Sequence, residues 1–258
     1  MGQAMTKHAM DINPNTRMRW EVVRCYTELR DLRGRCVLDL GSGLGYFSLR
    51  FKERGADVHA VDVDRNSLEY IKQGFDIKTS CADIEKDEFP AGSFDGIFIG
   101  EVLEHLKNPA VLLSRVDGAL ARGGFLLVTV PALEGPLIHT KGKALGHELG
   151  SEKHERDGFL FEELKSLIEK AGMKIVRHDM TIYWLAELFM QITKRGYLKK
   201  KKNYNSQANV IEIMKSIKYR AVAFLYPMLM LVFQIEQAVS SALGITGHCH
   251  VILAKREN

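Results

Sequence analysis

Cysteine is scarce and unpaired: four residues in 258, at 25, 36, 81 and 249, with no C-x-x-C spacing. That excludes a disulfide-stapled secreted scaffold and suits a reducing compartment, so a cytoplasmic setting is expected. Cys36 and Cys81 fall at strand-like positions and are expected to be buried free thiols. Net charge is only +4, too little to demand a nucleic-acid partner. No signal peptide is expected from the first residues. Ala221 to Phe233 carries no charge, but as a helix it covers roughly 20 Å against a hydrocarbon core of about 30 Å. A true membrane span is therefore not expected. His147 and His154, with Glu148, Glu152 and Glu155 nearby, match no compact zinc spacing, so no metal is expected. The length is sufficient to bury a large core.

A third glycine is also missing, and its absence matters. Residues 36–46 read CVLDLGSGLGY. Val37, Leu38 and Leu40 predict a buried parallel strand. Gly41, Gly43 and Gly45 follow, where a chain without side chains turns tightly and lets a ligand approach. The dinucleotide fingerprint G-x-G-x-x-G would need glycine at 46, where Tyr46 stands. A second strand, Ala56 to Val61, ends at Asp62, a carboxylate able to accept hydrogen bonds from both hydroxyls of a ribose. Asp62 supports a nucleoside without choosing one. Asp64 is expected to be simply solvated.

The next segments choose. Cys81-Ala82-Asp83-Ile84, then SFDGIFIGEVLEHLKNP at 93–109 and LARGGFLLVTVP at 120–131, stand in order after VLDLGSGLG. Together they resemble the class I S-adenosylmethionine-dependent methyltransferases over about residues 35–131. The resemblance implies S-adenosylmethionine as cofactor. Its binding residues would include Asp39, Gly41, Ser42, Gly43, Gly45 and Tyr46 at the glycine loop. Asp62 and Val63 would meet the ribose, and Asp83 the adenine amino group, with Ile84 packing on the ring. Gly100, Glu101 and the run to His105 would line the methionine part. Asn13-Pro14, soon followed by arginine, resembles a segment of the ubiquinone-biosynthesis O-methyltransferases. That likeness gives Arg17 a cofactor contact through a forked bond to the methionine carboxylate, with Arg19 as its competitor.

Strand and helix patterns alternate along the chain: strands near 36–40, 57–62, 76–80, 95–99 and 124–130, helices near 46–54, 65–73 and 108–121. The expected fold is α/β: a doubly wound, mostly parallel seven-stranded sheet. The apolar stripe from Thr16 to Leu32 predicts an N-terminal helix. The division follows as an N-terminal helical segment (1–34), a cofactor-binding core (35–179), a helical insertion (180–247) and a final core strand (248–258). In the resembled family that last strand enters antiparallel beside the sixth.

The insertion replaces a short hairpin, and it holds the basic character. It carries nine Lys or Arg against three Glu, a net +6, so the remainder of the chain is −2. Six of the cations lie between Lys194 and Lys202. Followed by the apolar stretch to Phe233, they suggest peripheral membrane contact through 194–233. Methyl transfer needs alignment more than a catalytic side chain. If a hydroxyl is the acceptor, a histidine base helps, and His105, after the fourth strand, is the candidate; His139, His147 and His154 are the others. The expected activity is methyl transfer to a small-molecule or lipid-like acceptor. An NAD-dependent dehydrogenase and a non-catalytic membrane-associated module are the alternatives.

Overall fold

Asn13 starts the first helix: its side chain accepts the N–H of Asn15 at 3.1 Å, and Pro14 fills the first helical position, where no N–H is needed. The computed structural model describes residues 13–134, 155–190 and 217–256. Helix α1 is Pro14–Val23, shorter than the stripe to Leu32 predicts. Tyr26, Leu29 and Leu32 are fully buried all the same, carried on a turn and a short 3-10 segment, Thr27–Leu29. Leaving the helix lets the Tyr26 hydroxyl reach the carbonyl of Val251 at 3.3 Å.

The elements that follow are β1 (Cys36–Leu40), α2 (Tyr46–Glu53), β2 (Asp57–Asp62), α3 (Arg65–Phe75), β3 (Lys78–Cys81) and β4 (Phe94–Gly100). After a 3-10 turn at Leu103–His105 come α4 (Pro109–Ala119), β5 (Leu120–Pro131), α5 (Phe161–Lys170) and β6 (Met173–Thr181). Helix α6 covers the described residues 184–190; then come α7 (Ile217–Ala242) and β7 (Cys249–Arg256). Seven strands form one sheet in the order β3-β2-β1-β4-β5-β7-β6. The five on the β3 side pair in parallel, and β7 runs antiparallel to both β5 and β6. This is the expected doubly wound sheet, with helical chain placed before the last strand.

Alternate residues of the central strands feed two cores. Leu38, Leu40, Ile97, Ile99, Leu126 and Val128 pack beneath α4 and α5, while Val37, Phe98, Leu127 and Val251 pack beneath α1, α2 and α3. A third cluster joins Met18 of α1 and Cys249 of β7 to Tyr226, Met230 and Phe233 of α7. Cys81, expected to be buried, is exposed, because β3 is an edge strand; Cys249 is the buried thiol. Asp64, expected to be merely solvated, caps α3: it accepts the Asn66 N–H at 3.1 Å and the Ser67 hydroxyl. No described helix is long and apolar enough to cross a membrane.

Candidate active site

In parallel strands the carboxyl ends share one edge, and register decides which residues meet there. Leu40 lies beside both Val61 and Ile99, and Asp62 beside Cys81. The glycine loop, Asp62, Asp83 and Glu101 are thereby gathered along that edge. Gly41 and Ser42 donate to the carbonyl of Val61 at 2.8 and 3.0 Å. Gly43 donates to Asp62 Oδ2 at 2.8 Å, and Asp64 donates to Oδ1 at 2.9 Å. Each oxygen of Asp62 keeps a further lone pair, which suits two ribose hydroxyls. All three glycines have positive φ, at 72, 51 and 78°. A Cβ on Gly41 would come within 2.3 Å of Val102 Cγ2, so closeness to the protein fixes that glycine whatever a ligand requires. Asp39 is buried beneath the loop and accepts the Ser48 hydroxyl; burial pushes its carboxyl up to about 7.

Asp83 follows β3 and accepts the Glu85 N–H at 3.0 Å. Lys86 bonds it at 2.6 Å and holds its carboxyl below the usual range. An adenine amino group would share Asp83 with that lysine. Ile84 is buried in the core beneath α4, so packing on a ring is not its main contact. Val63, by contrast, is 66% exposed directly after Asp62 and leaves apolar surface open there.

The far end of the edge is built around Glu101. It holds φ 56°, a conformation that costs a non-glycine residue about 1–2 kcal/mol, with its N–H donated to the Thr129 carbonyl at 2.8 Å. Gly100 beside it leaves room for the Phe98 ring, which a Cβ would meet at 2.4 Å. Arg19, 6% exposed, sets Nη1 at 3.3 Å from both Glu101 Oε1 and Thr129 Oγ1, and its Nε donates to the Asn15 carbonyl. Arg17 is engaged elsewhere, with Glu21 at 2.6 Å on its own helix. The arginine brought to this edge is therefore Arg19. One helical turn cannot deliver both, since residues two apart face different ways. Cys249 Sγ lies 3.8 Å from Glu101 Oε1; burial, reinforced by that carboxylate, raises its thiol well above the usual range and keeps it a neutral donor. Tyr46 opens α2 with its ring 5.0 Å from the Arg50 guanidinium. His105 closes the 3-10 turn after β4 and is half-buried. His139, His147 and His154 lie outside the described residues. Among the described residues no group of three or more His, Cys, Asp or Glu could hold a metal.

Sequence reasoning missed a polar cluster at the neighbouring end of β5. His250, 1% exposed, has Nε2 at 3.0 Å from Glu134 Oε2 and 3.1 Å from the Phe159 carbonyl. Both are acceptors, so Nε2 carries the proton. Its Nδ1 then accepts from His178 Nε2 at 3.0 Å, and His178 stacks on Phe161 with ring centroids 4.0 Å apart. The other oxygen of Glu134 accepts the Phe161 N–H at 2.7 Å, capping α5. The available signal was a histidine in an otherwise apolar strand, HCHVIL.

These rings set a pH dependence. Burial lowers both histidines, His178 to about 4, below an unfolded value near 6.5. Between those values the unfolded chain binds more protons, so their contribution to stability falls as pH drops from about 6.5 to about 4. Asp39 has the opposite sign. It holds its proton up to about 7 while the unfolded chain releases it near 3.9, so its contribution falls as pH rises through that window. Thermal melts of His178→Asn should show a smaller loss between neutral and acid pH than the parent protein. An unchanged loss would remove His178 as its source.

Residues 38–128 match the family described as a methyltransferase domain. Over 110 residues the chain is 34% identical to an uncharacterized methyltransferase of Mycobacterium tuberculosis, covering 40% of this chain and 56% of that one. Over 136 residues it is 30% identical to a tRNA U34 carboxymethyltransferase of Pseudoalteromonas translucida, covering 50% and 42%. The chain thus spans about half the length of the curated relatives it matches. Among solved structures, an S-adenosylmethionine-dependent methyltransferase from Mesorhizobium loti superposes with a TM-score of 0.57 at 19% identity, covering 92% of this chain and 97% of that one. Phosphoethanolamine N-methyltransferase 2 of Haemonchus contortus, solved with S-adenosyl-L-methionine, gives 0.59 at 18%, covering 93% and 52%. The dehydrogenase alternative gives way, in keeping with Tyr46 at the fingerprint's last glycine position. Residues 38–128 carry a methyltransferase domain on a fold shared with S-adenosylmethionine-dependent methyltransferases, and together these likenesses support an enzyme of that class.

Proposed function

We propose that the protein methylates a small, lipid-like acceptor. When bound, the cofactor supplies a methyl group already activated by its positively charged sulfur. The chain's task is to hold donor and acceptor in line and to exclude water. In this reading Gly41, Ser42, Gly43 and Gly45 give the nucleoside a close backbone approach, with Asp39 and Tyr46 shaping the loop. Asp62 takes the ribose hydroxyls, and Val63 and Asp83 border the adenine, with Ile84 behind them. Glu101, after Gly100, attracts the ammonium of the methionine part, while Arg19, in place of Arg17, attracts its carboxylate. A cation and an anion set 3.3 Å apart match the two charges of an amino acid. His105 positions the acceptor or takes its proton.

The observation that carries the acceptor class is the apolar cluster beside this end of the site. Helix α7 packs on Met18, next to Arg19, and on Cys249, which reaches Glu101. An apolar molecule would approach along that side. A second reading, an RNA acceptor, is favoured by the tRNA-modifying relatives and the six cations at 194–202. Incubation with methyl-labelled cofactor and either total lipid extract or tRNA separates them. Label is expected in the lipid fraction; label confined to tRNA would establish the second reading instead. On the acceptor so identified, His105→Ala should lower turnover about a hundredfold while leaving cofactor affinity unchanged. Unchanged turnover would return His105 to a structural role.

A further inference from the structure

Helix α7 is apolar on two sides, and among the described residues one of them is packed against the core. Tyr226, Met230 and Phe233 are buried against the core, and Gln237 fixes the helix by donating to the Met180 carbonyl at 2.7 Å. The outward side carries Phe224 (85% exposed), Met228 (70%), Leu231 (58%), Ile235 (56%) and Val239 (52%). Spacings of four, three, four and four residues put these five on one stripe. Trp184 and Leu188 of α6, each about half exposed, extend the apolar area beside it. An ordinary surface helix turns charge outward, but this one has a single acid, Glu236. That carboxylate accepts the N–H groups of Leu185 at 2.6 Å and Ala186 at 3.3 Å, so it serves the start of α6. A contiguous apolar patch left open among the described residues marks an interaction surface.

We infer that this stripe docks on an anionic lipid bilayer. Charge selects the occupant. By sequence, residues 180–247 carry a net +6; seven of the nine cations fall at 194–215, outside the described residues but in the chain that joins α6 to α7, and Lys218 and Arg220 stand in the first turn of α7. An anionic leaflet offers that charge a counterpart, about 1 kcal/mol for each cation near the surface. Two copies of the chain, each of net charge +4, would repel one another. Because no described helix is long and apolar enough to cross the bilayer, α7 lies along the interface, with its stripe in the acyl boundary and its inner side still on the protein. The inference concerns binding alone and stands whether or not the acceptor is a lipid.

The test needs no turnover. The protein is sedimented with vesicles of phosphatidylcholine and phosphatidylglycerol, and with vesicles of phosphatidylcholine alone. The expected result is co-sedimentation with the anionic vesicles, weakened by added salt, and a blue shift of tryptophan emission. Of the two tryptophans, Trp20 is buried and Trp184 is half exposed beside the stripe, so the shift reports the docked face. Combining Phe224→Glu with Leu231→Glu should lower vesicle affinity by at least about tenfold. Both positions are exposed, so cofactor affinity should be retained, which shows that the variant is folded. Three results would overturn the inference: no binding of the parent protein to anionic vesicles at low salt, equal binding by the variant, or self-association of the parent that the variant abolishes without any vesicle binding.

Discussion

Replacing Asp62 with alanine should lower S-adenosylmethionine affinity by about 1.5–3 kcal/mol, roughly ten- to 150-fold, the range for hydrogen bonds to a charged group. The carboxylate does two things at once. It presents acceptors at the end of β2, and it ties down the glycine loop through the Gly43 N–H at 2.8 Å. In the proposed reading the variant loses the acceptors for the ribose and releases the glycine loop. Two residues on, Asp64→Ala is the natural comparison. It removes the cap of α3 and should cost about 1 kcal/mol of stability with affinity unchanged. Calorimetric titration of both variants separates the roles. Parent-like affinity in Asp62→Ala would take Asp62 out of the site.

Gly45→Val should destabilise the fold by about 2–5 kcal/mol, on the order of 10 °C in melting temperature. Two costs combine. The backbone stands at φ 78°, where a β-branched residue is strained, and a Cβ would lie 2.7 Å from Ile71 Cγ1, inside a fully buried side chain of α3. Gly74 provides the contrast. It lies in the last turn of the same α3, at no positive φ, with nothing within 4 Å of an added Cβ. Gly74→Ala should therefore stabilise by about 0.4–1 kcal/mol. Thermal melts of the pair check both signs. A Gly45→Val protein as stable as its parent would show that the loop has another conformation open to it.

The parallel half of the molecule was readable in the sequence because its signals are local. CVLDL, ADVHAV and GIFIG are short, mostly apolar runs ended by glycine or acid, and a strand with a buried place in the sheet favours that pattern. The loop glycines and Asp62 follow those runs directly. What was not readable depends on partners far along the chain. The place of Arg19 beside Glu101 depends on Thr129, 110 residues away. The Glu134–His250 contact spans 116 residues, and the His178–His250 contact 72. The burial of Tyr26 depends on Val251. The edge position that exposes Cys81 comes from strand order, which a tetrapeptide cannot encode.

The strand order also imposes a sequence of events on synthesis. β6 has no neighbour in the sheet except β7, and β7 is made only after residues 182–248. At ~5–20 residues per second, that interval is roughly 3–13 s. Throughout it β6 has no ladder partner, and the far side of β5 has none either. The strand that closes both gaps also brings Cys249 to Glu101 and His250 to Glu134. A nascent chain can therefore assemble β1 to β5 and their glycine loop early. The Glu101 end of the carboxyl edge is completed last, in the same step that seals the sheet.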